Sequence, residues 1–188
     1  MADSAKRSAA VLGDVNSDGS PDLIIGYPYA ARCYVMFGTA LGLTNMTTGF
    51  TIFGEQESDL TGWSVSGAGD VNNDTIHDIV VGAPGARGVG AFYVIYGRKT
   101  LNYNIYLSSL LPTASSVGFA VYGQQSSDYL GIAVSSAGDV NRDGCDDVIV
   151  GAVLPSNFAS GAAYVAFGGK TGVASIAQCA KLMGGSFS

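Results

Sequence analysis

The stretch DVNSDGSPDLIIGYP, residues 14–28, changes character at Asp22. Before it, side-chain oxygens stand at alternate positions. After it comes a short apolar run closed by glycine. The same junction returns as DVNNDTIHDIVVGAP at 70–84 and as DVNRDGCDDVIVGAV at 139–153. Three copies of one unit point to a repeat architecture, in which each unit buries its apolar faces against its neighbours.

Outward from each junction the apolar segments are short, rich in β-branched and aromatic residues and bounded by glycine, which favours strands over helices. Four can be read per unit. The middle unit has SVSGAG (64–69), DIVVGA (78–83), GAFYVIYG (90–97) and GFAVYG (118–123). The first has AAVLG, DLIIGY, CYVMFG and GFTIFG; the third has AVSSAG, DVIVGA, AAYVAFG and a weaker GGSFS (184–188). The spacing predicts an all-β chain of three four-stranded antiparallel sheets, at about 8–55, 62–124 and 131–188. The middle unit is longer chiefly in RKTLNYNIYLSSLLPTASS (98–116), expected to be a surface excursion. Within it LNYNIYLSSLL suits a helical turn or an extra strand equally.

Each acidic turn places oxygens at positions 1, 3, 5 and 9: Asp14, Asn16, Asp18 and Asp22; Asp70, Asn72, Asp74 and Asp78; Asp139, Asn141, Asp143 and Asp147. Carboxylates that close together repel, and a hard cation turns the repulsion into coordination. Calcium accepts about 6–8 oxygens in irregular geometry, so these side chains, the position-7 carbonyls of Ser20, Ile76 and Cys145, and water make a plausible shell. Magnesium wants a near-ideal octahedron, and zinc would look for nitrogen or sulfur. Up to three calcium ions per chain, with a structural role, are the expectation. Gly19 and Gly144 suit the sharp bend at position 6. The β-branched Thr75 is strained there if φ is positive, so the middle site is expected to be the weakest or reshaped. An EF-hand is excluded, because position 12 falls on Ile25, Val81 or Val150 inside a strand.

Composition narrows the partners. With 47% hydrophobic and 13% charged residues the chain can bury a core, and a net charge of −6 disfavours nucleic acid or an anionic membrane as the partner. No run approaches the roughly 18 apolar residues of a membrane span, and MADSAKRSAA has no apolar signal-peptide core, so no direct membrane insertion is expected. Cys33, Cys145 and Cys179 are widely spaced and expected to be unpaired.

No catalytic constellation emerges, and the expectation is a non-enzymatic protein. His77 is the one histidine, and no serine or cysteine stands in a recognisable partner motif. GWSVSG fails the nucleophile-elbow pattern at Ser66, and GGKT (168–171) fails the phosphate-loop pattern at Tyr164. Third-strand aromatics, Phe92, Tyr93, Tyr96, Tyr164 and Phe167, read as packing between sheets. Asn45-Met46-Thr47 is a glycosylation sequon.

The run GWSVSGAGDVNNDTIHDIVVGAP (62–84) resembles the FG-GAP repeat of the integrin α-subunit N-terminal β-propeller. The resemblance covers nearly the whole chain as three consecutive repeats. It departs at GYP (26–28) and GAV (151–153), and Gly62-Trp63 and Leu130-Gly131 stand for the phenylalanine-glycine pair. It implies propeller blades, calcium in the acidic turns, an extracellular or cell-surface setting, and a role in cell adhesion or protein–protein recognition. By the same resemblance the end of the blades opposite the acidic turns is the ligand face, where Tyr27, Tyr29, Asp59, Arg87, Asp128 and Tyr129 fall. The alternative is a lectin, with glycan docked between blades against aromatics. Propellers close with about 4–8 blades. Three blades are therefore either part of a longer propeller or half of a homodimer closing a six-bladed ring, and whole blades in each chain favour the dimer.

Overall fold

The computed structural model describes residues 6–40, 48–100, 104–110, 115–153, 161–170 and 179–183. These form three antiparallel sheets stacked in chain order as a partial, unclosed propeller. The first sheet holds β1 (Ser8–Gly13), β2 (Asp22–Tyr27), β3 (Arg32–Met36) and β4 (Gly49–Phe53). The second holds β5 (Ser64–Gly69), β6 (Asp78–Ala83), β7 (Ala91–Ile95) and β9 (Gly118–Tyr122), leaving β8 (Ile105–Tyr106) aside. The third holds β10 (Ala133–Gly138), β11 (Asp147–Ala152), β12 (Ala162–Ala166) and β13 (Ala180–Met183). Among the described residues the helical elements are four three-residue 3-10 turns.

The acidic turn joins the first two strands of each sheet through a one-residue bulge. Pairing slips between Val11 and Gly13, between Gly67 and Gly69, and between Ser136 and Gly138. The glycine after each slip has φ of +82°, +76° and +66° respectively, a left-handed conformation that glycine adopts without a Cβ penalty. The bulge twists the strand end and launches the turn at the next residue, position 1.

Alternation along the strands puts one set of side chains on each joint between sheets. Leu12, Ile24, Cys33, Val35 and Ile52 of the first sheet meet Val65, Ile79, Val81, Tyr93 and Ile95 of the second. The other face of the second sheet, with Val80, Phe92, Val94 and Val121, meets Val148, Val150 and Ala152 of the third. Both faces of β6 and β7 are thus buried along their length, and the expected role of Phe92 and Tyr93 as packing aromatics holds. The joints depend on close backbone approach: a Cβ on Gly26 would collide with the Gly62 carbonyl, and one on Gly82 with that of Gly131. Beside these contacts, Ser8 and Ser64 hydroxyls donate to the Gly62 and Gly131 carbonyls, each at 2.8 Å.

Two expectations need correction. Of the segment after β7, residues 105–110 are more than a surface excursion. β8 pairs in parallel with the outer edge of β4, Ile52 with Ile105 and Phe53 with Tyr106, so it joins the first sheet rather than the second. The 3-10 turn Leu107–Ser109 follows, and Ile105, Leu107 and Leu110 are buried in the first joint. Apolar residues at 105, 107 and 110 are long enough to reach back over a neighbouring sheet, and burying them there outweighs leaving them in water. The second correction concerns the fourth strand of the third sheet, which is Ala180–Met183. GGSFS lies outside the described residues, as does the sequon at Asn45.

Candidate metal centre

The three turns are built alike. In the first, the Asp18 N–H donates to Asp14 Oδ1 (3.0 Å) and Asn16 Oδ1 (3.1 Å), and the Gly19 N–H to Asp14 Oδ2 (2.8 Å). The Asn16 amide donates to Asp18 Oδ2 (2.8 Å), whose Oδ1 accepts from Ser20 N–H (2.9 Å). The same bonds recur around Asp70, Asn72 and Asp74 and around Asp139, Asn141 and Asp143. Positions 1, 3 and 5 are thus drawn together by local side-chain-to-backbone bonds of the kind that favour Asp and Asn in turns.

Position 9 stands apart, at the buried base of the turn. Asp22, Asp78 and Asp147 are fully buried, and each holds two backbone N–H groups. Asp78 accepts from Val71 and Gly97, both at 2.8 Å; Asp22 accepts from Val15 (2.8 Å) and Gly38 (2.9 Å); Asp147 accepts from Val140 (2.9 Å) and Gly168 (2.8 Å). One carboxylate therefore ties the start of the turn to the glycine that follows the third strand. Among the described residues no three Asp, Glu, His or Cys side chains gather round one point. What each turn gathers is two carboxylates and an amide, exposed or half-buried, around one buried carboxylate.

This set suits a hard cation. Its donors are all oxygen, and a carboxylate oxygen that accepts one N–H keeps capacity for a further partner. Burial pushes Asp78 up to about 8, with Asp74 and Asp70 adding to the rise against the opposing pull of the two N–H groups, and burial raises Asp22 likewise. A negative charge held there is costly unless a positive one is brought to it. Ser20 and Cys145, at position 7, are buried, and Ile76 is half-buried. Thr75 has φ of +73°, the strained conformation expected of position 6, while Asn73 at position 4 has φ of +57°.

Position 8 serves the joint between sheets, a role that the sequence pattern did not reveal. His77 N–H donates to the Asp14 carbonyl (3.3 Å), and its ring lies against Gly13. Asp146 N–H donates to the Asp70 carbonyl (2.9 Å), while its Oδ2 accepts from Asp70 N–H (2.8 Å). A second rung follows: Arg98 N–H donates to the Val15 carbonyl (2.9 Å) and Gly169 N–H to that of Val71 (2.8 Å). The first two acidic turns are thus each clamped by the next blade. None of the three cysteines forms a disulfide.

At the opposite end, the candidate recognition residues divide. Asp59 and Asp128 are buried braces, accepting the N–H of Gln56 (3.1 Å) and Gln125 (2.9 Å), three residues back in their own turns. They are not available on the surface. Tyr29 and Tyr129 are exposed. Tyr27 is half-buried, edge-on to Tyr34 at 5.3 Å. Arg87, at φ +52°, lies 3.9 Å over the Tyr122 ring and 3.5 Å from Glu55, which also accepts from the Tyr122 hydroxyl (3.2 Å). A cation over an aromatic face and beside a carboxylate is held in one place.

Comparison with known proteins agrees with these repeats. The family model described as FG-GAP repeat matches residues 7–42 and 61–95. Integrin alpha-5 of Xenopus laevis is 27% identical over 173 residues, covering 87% of this chain and 15% of the relative. Integrin alpha pat-2 of Caenorhabditis elegans is 30% identical over 173 residues, 80% of this chain and 13% of the relative. The bovine (Bos taurus) phosphatidylinositol-glycan-specific phospholipase D is 29% identical over 150 residues, 72% of this chain and 17% of the relative. The chain thus spans under a fifth of the length of these curated relatives. Among the described residues no helix is long and apolar enough to cross a membrane. Three acidic turns on one pattern, the matching family model and the similarity to integrin α subunits over most of the chain lead to one conclusion: this chain carries FG-GAP repeats.

Proposed function

We propose that this chain is a calcium-stabilised, non-enzymatic propeller segment serving cell adhesion or protein–protein recognition outside the cell or at its surface. The observation that carries the calcium reading is the buried carboxylate at position 9, set in every turn with two more accessible carboxylates and an amide. Asp14, Asn16, Asp18, Ser20 and Asp22 would hold one ion, Asp70, Asn72, Asp74, Ile76 and Asp78 a second, and Asp139, Asn141, Asp143, Cys145 and Asp147 a third. Bound there, an ion would supply positive charge to the turn that joins the first two strands of each blade. The adhesion reading rests on the similarity to integrin α subunits, and the exposed Tyr29, Arg87 and Tyr129 form the surface offered to a protein ligand.

The two outer faces of the stack are covered in the working protein by a second copy, head to tail. The leading face of the first sheet exposes Val11 and Tyr34, and the trailing side of the third exposes Val140, Val153 and Leu182. Gly151 keeps the glycine that Gly26 and Gly82 use for close approach, yet a Cβ there would meet nothing nearer than Ala133 at 3.4 Å. Calorimetry tests the calcium reading: excess calcium raises the melting temperature and a chelator lowers it, and a melting temperature indifferent to both overturns it.

A further inference from the structure

The three turns differ at one residue beside them. Just before the glycine whose N–H holds position 9 stand Phe37 in the first blade, Tyr96 in the second and Phe167 in the third. Only the middle blade adds a hydroxyl there. Tyr96 is 5% exposed, and its hydroxyl is buried with no hydrogen-bond partner. The ring is fixed, packing on Phe119 at 6.2 Å between centroids. Burial, followed by the Asp78 and Asp74 carboxylates, pushes the phenol up to about 12, so it is a neutral O–H with a proton to donate. Buried hydroxyls are nearly always paired.

Tyr96 lines a cavity of about 390 Å³ whose wall also includes Asn72, Asp74, Ser115, Ser116 and Lys170. Asn72 and Asp74 are positions 3 and 5 of the middle turn, so the cavity borders two of the residues assigned to its ion. Every residue of its wall carries a polar group, and it has room for several waters. Calcium takes about 6–8 oxygens, more than four side chains and one carbonyl supply when each gives one, so ordered water belongs in the shell.

We propose that the Tyr96 hydroxyl is a positioning group for the middle calcium site, donating to a water in this cavity that is itself a ligand of the ion. This inference rests on the calcium reading above. It gives the middle turn an outer partner that the other two lack, at the turn whose backbone Thr75 strains. Partners of this kind orient the inner ligands, and removing one typically weakens metal binding about 10–100-fold.

The test is calcium titration by isothermal calorimetry on the wild type and on Tyr96→Phe, with melting in a chelator measured alongside. Phenylalanine stands at this place in the other two blades and the lost hydroxyl is unpaired, so the calcium-free variant is expected to melt no lower than the wild type. One of the three binding steps is expected to weaken about tenfold, with the other two unchanged. Unchanged binding in the variant overturns the inference while leaving the calcium reading intact. No calcium uptake by the wild type overturns the calcium reading and the inference with it. A calcium-free variant that melts well below the wild type would show a packing role instead, and overturns the proposal too. Phe37→Tyr gives a check in the other direction: adding the hydroxyl there is expected to leave the Tyr96→Phe loss unrepaired.

Discussion

Asp78 does more for its turn than the aspartates above it, because each of its oxygens accepts one buried backbone N–H. Removing the side chain leaves the Val71 and Gly97 N–H groups unpaired away from water, at about 1–3 kcal/mol each. Relief of a desolvated charge offsets part of that. In chelator, Asp78→Ala is expected to lose about 2–4 kcal/mol in urea unfolding, and Asp74→Ala, whose carboxylate is exposed, about 1 kcal/mol or less. Equal losses would mean that the buried base does not organise the turn. Thr75 offers the opposite sign. Its φ of +73° suits glycine, and Thr75→Gly is expected to stabilise by about 0.5–1 kcal/mol, the left-handed penalty less the added freedom of the unfolded chain. A variant that melts earlier would place a compensating contact on the threonine side chain.

At the scale of the elements, the joints between sheets are set by glycine pairs rather than by large side chains. Gly82→Ala puts a methyl group into the Gly131 carbonyl and is expected to cost several kcal/mol or prevent folding; the chemically identical Gly151→Ala makes only ordinary contacts within the chain and is expected to change stability by less than about 0.5 kcal/mol. Circular dichroism melts of the two variants check the contrast, and similar melts would refute it. The strands and acidic turns were legible because each obeys a local rule: alternation and glycine punctuation for DLII, DIVV and DVIV, and side-chain capping for Asp and Asn in the turns. The Thr75 strain was legible for the same reason. What escaped was non-local. Nothing in IYLSSL announces that Ile105 and Leu107 belong to the neighbouring sheet, because the partner edge lies more than 50 residues earlier. Asp59 and Asp128 read as surface acids, yet each folds back onto its own backbone. Position 8 gave no signal, since His77 and Asp146 share a place but little chemistry.

For the whole molecule, the contrast between inner and outer blades governs behaviour in solution. Val15 and Val71, at position 2 of their turns, are 0% and 1% exposed under the next blade, whereas Val140 at the same position is 54% exposed. A copy docked there would cover it. Pro21 holds position 8 of the first turn and has no N–H, so it cannot make the bond that His77 and Asp146 make. The joint between copies is therefore expected to be weaker than the two inside the chain. Sedimentation at micromolar concentration should report twice the 19.1 kDa of one chain, falling towards the single-chain mass on dilution. A mass fixed at one chain throughout would rule out association of copies, and Gly151→Phe should shift the balance towards single chains.

β8 has a consequence for how the chain could be divided. Its two paired residues come from the middle of the second unit but finish the rim of the first, beside the bond from Thr51 N–H to Asn104 Oδ1 (3.0 Å). A cut or recombination point placed between Phe53 and Ser64 would follow the repeat boundary and still strip that rim, leaving the outermost backbone groups of β4 free to template fibrous aggregates. The first two repeats therefore have to stay together in any such division.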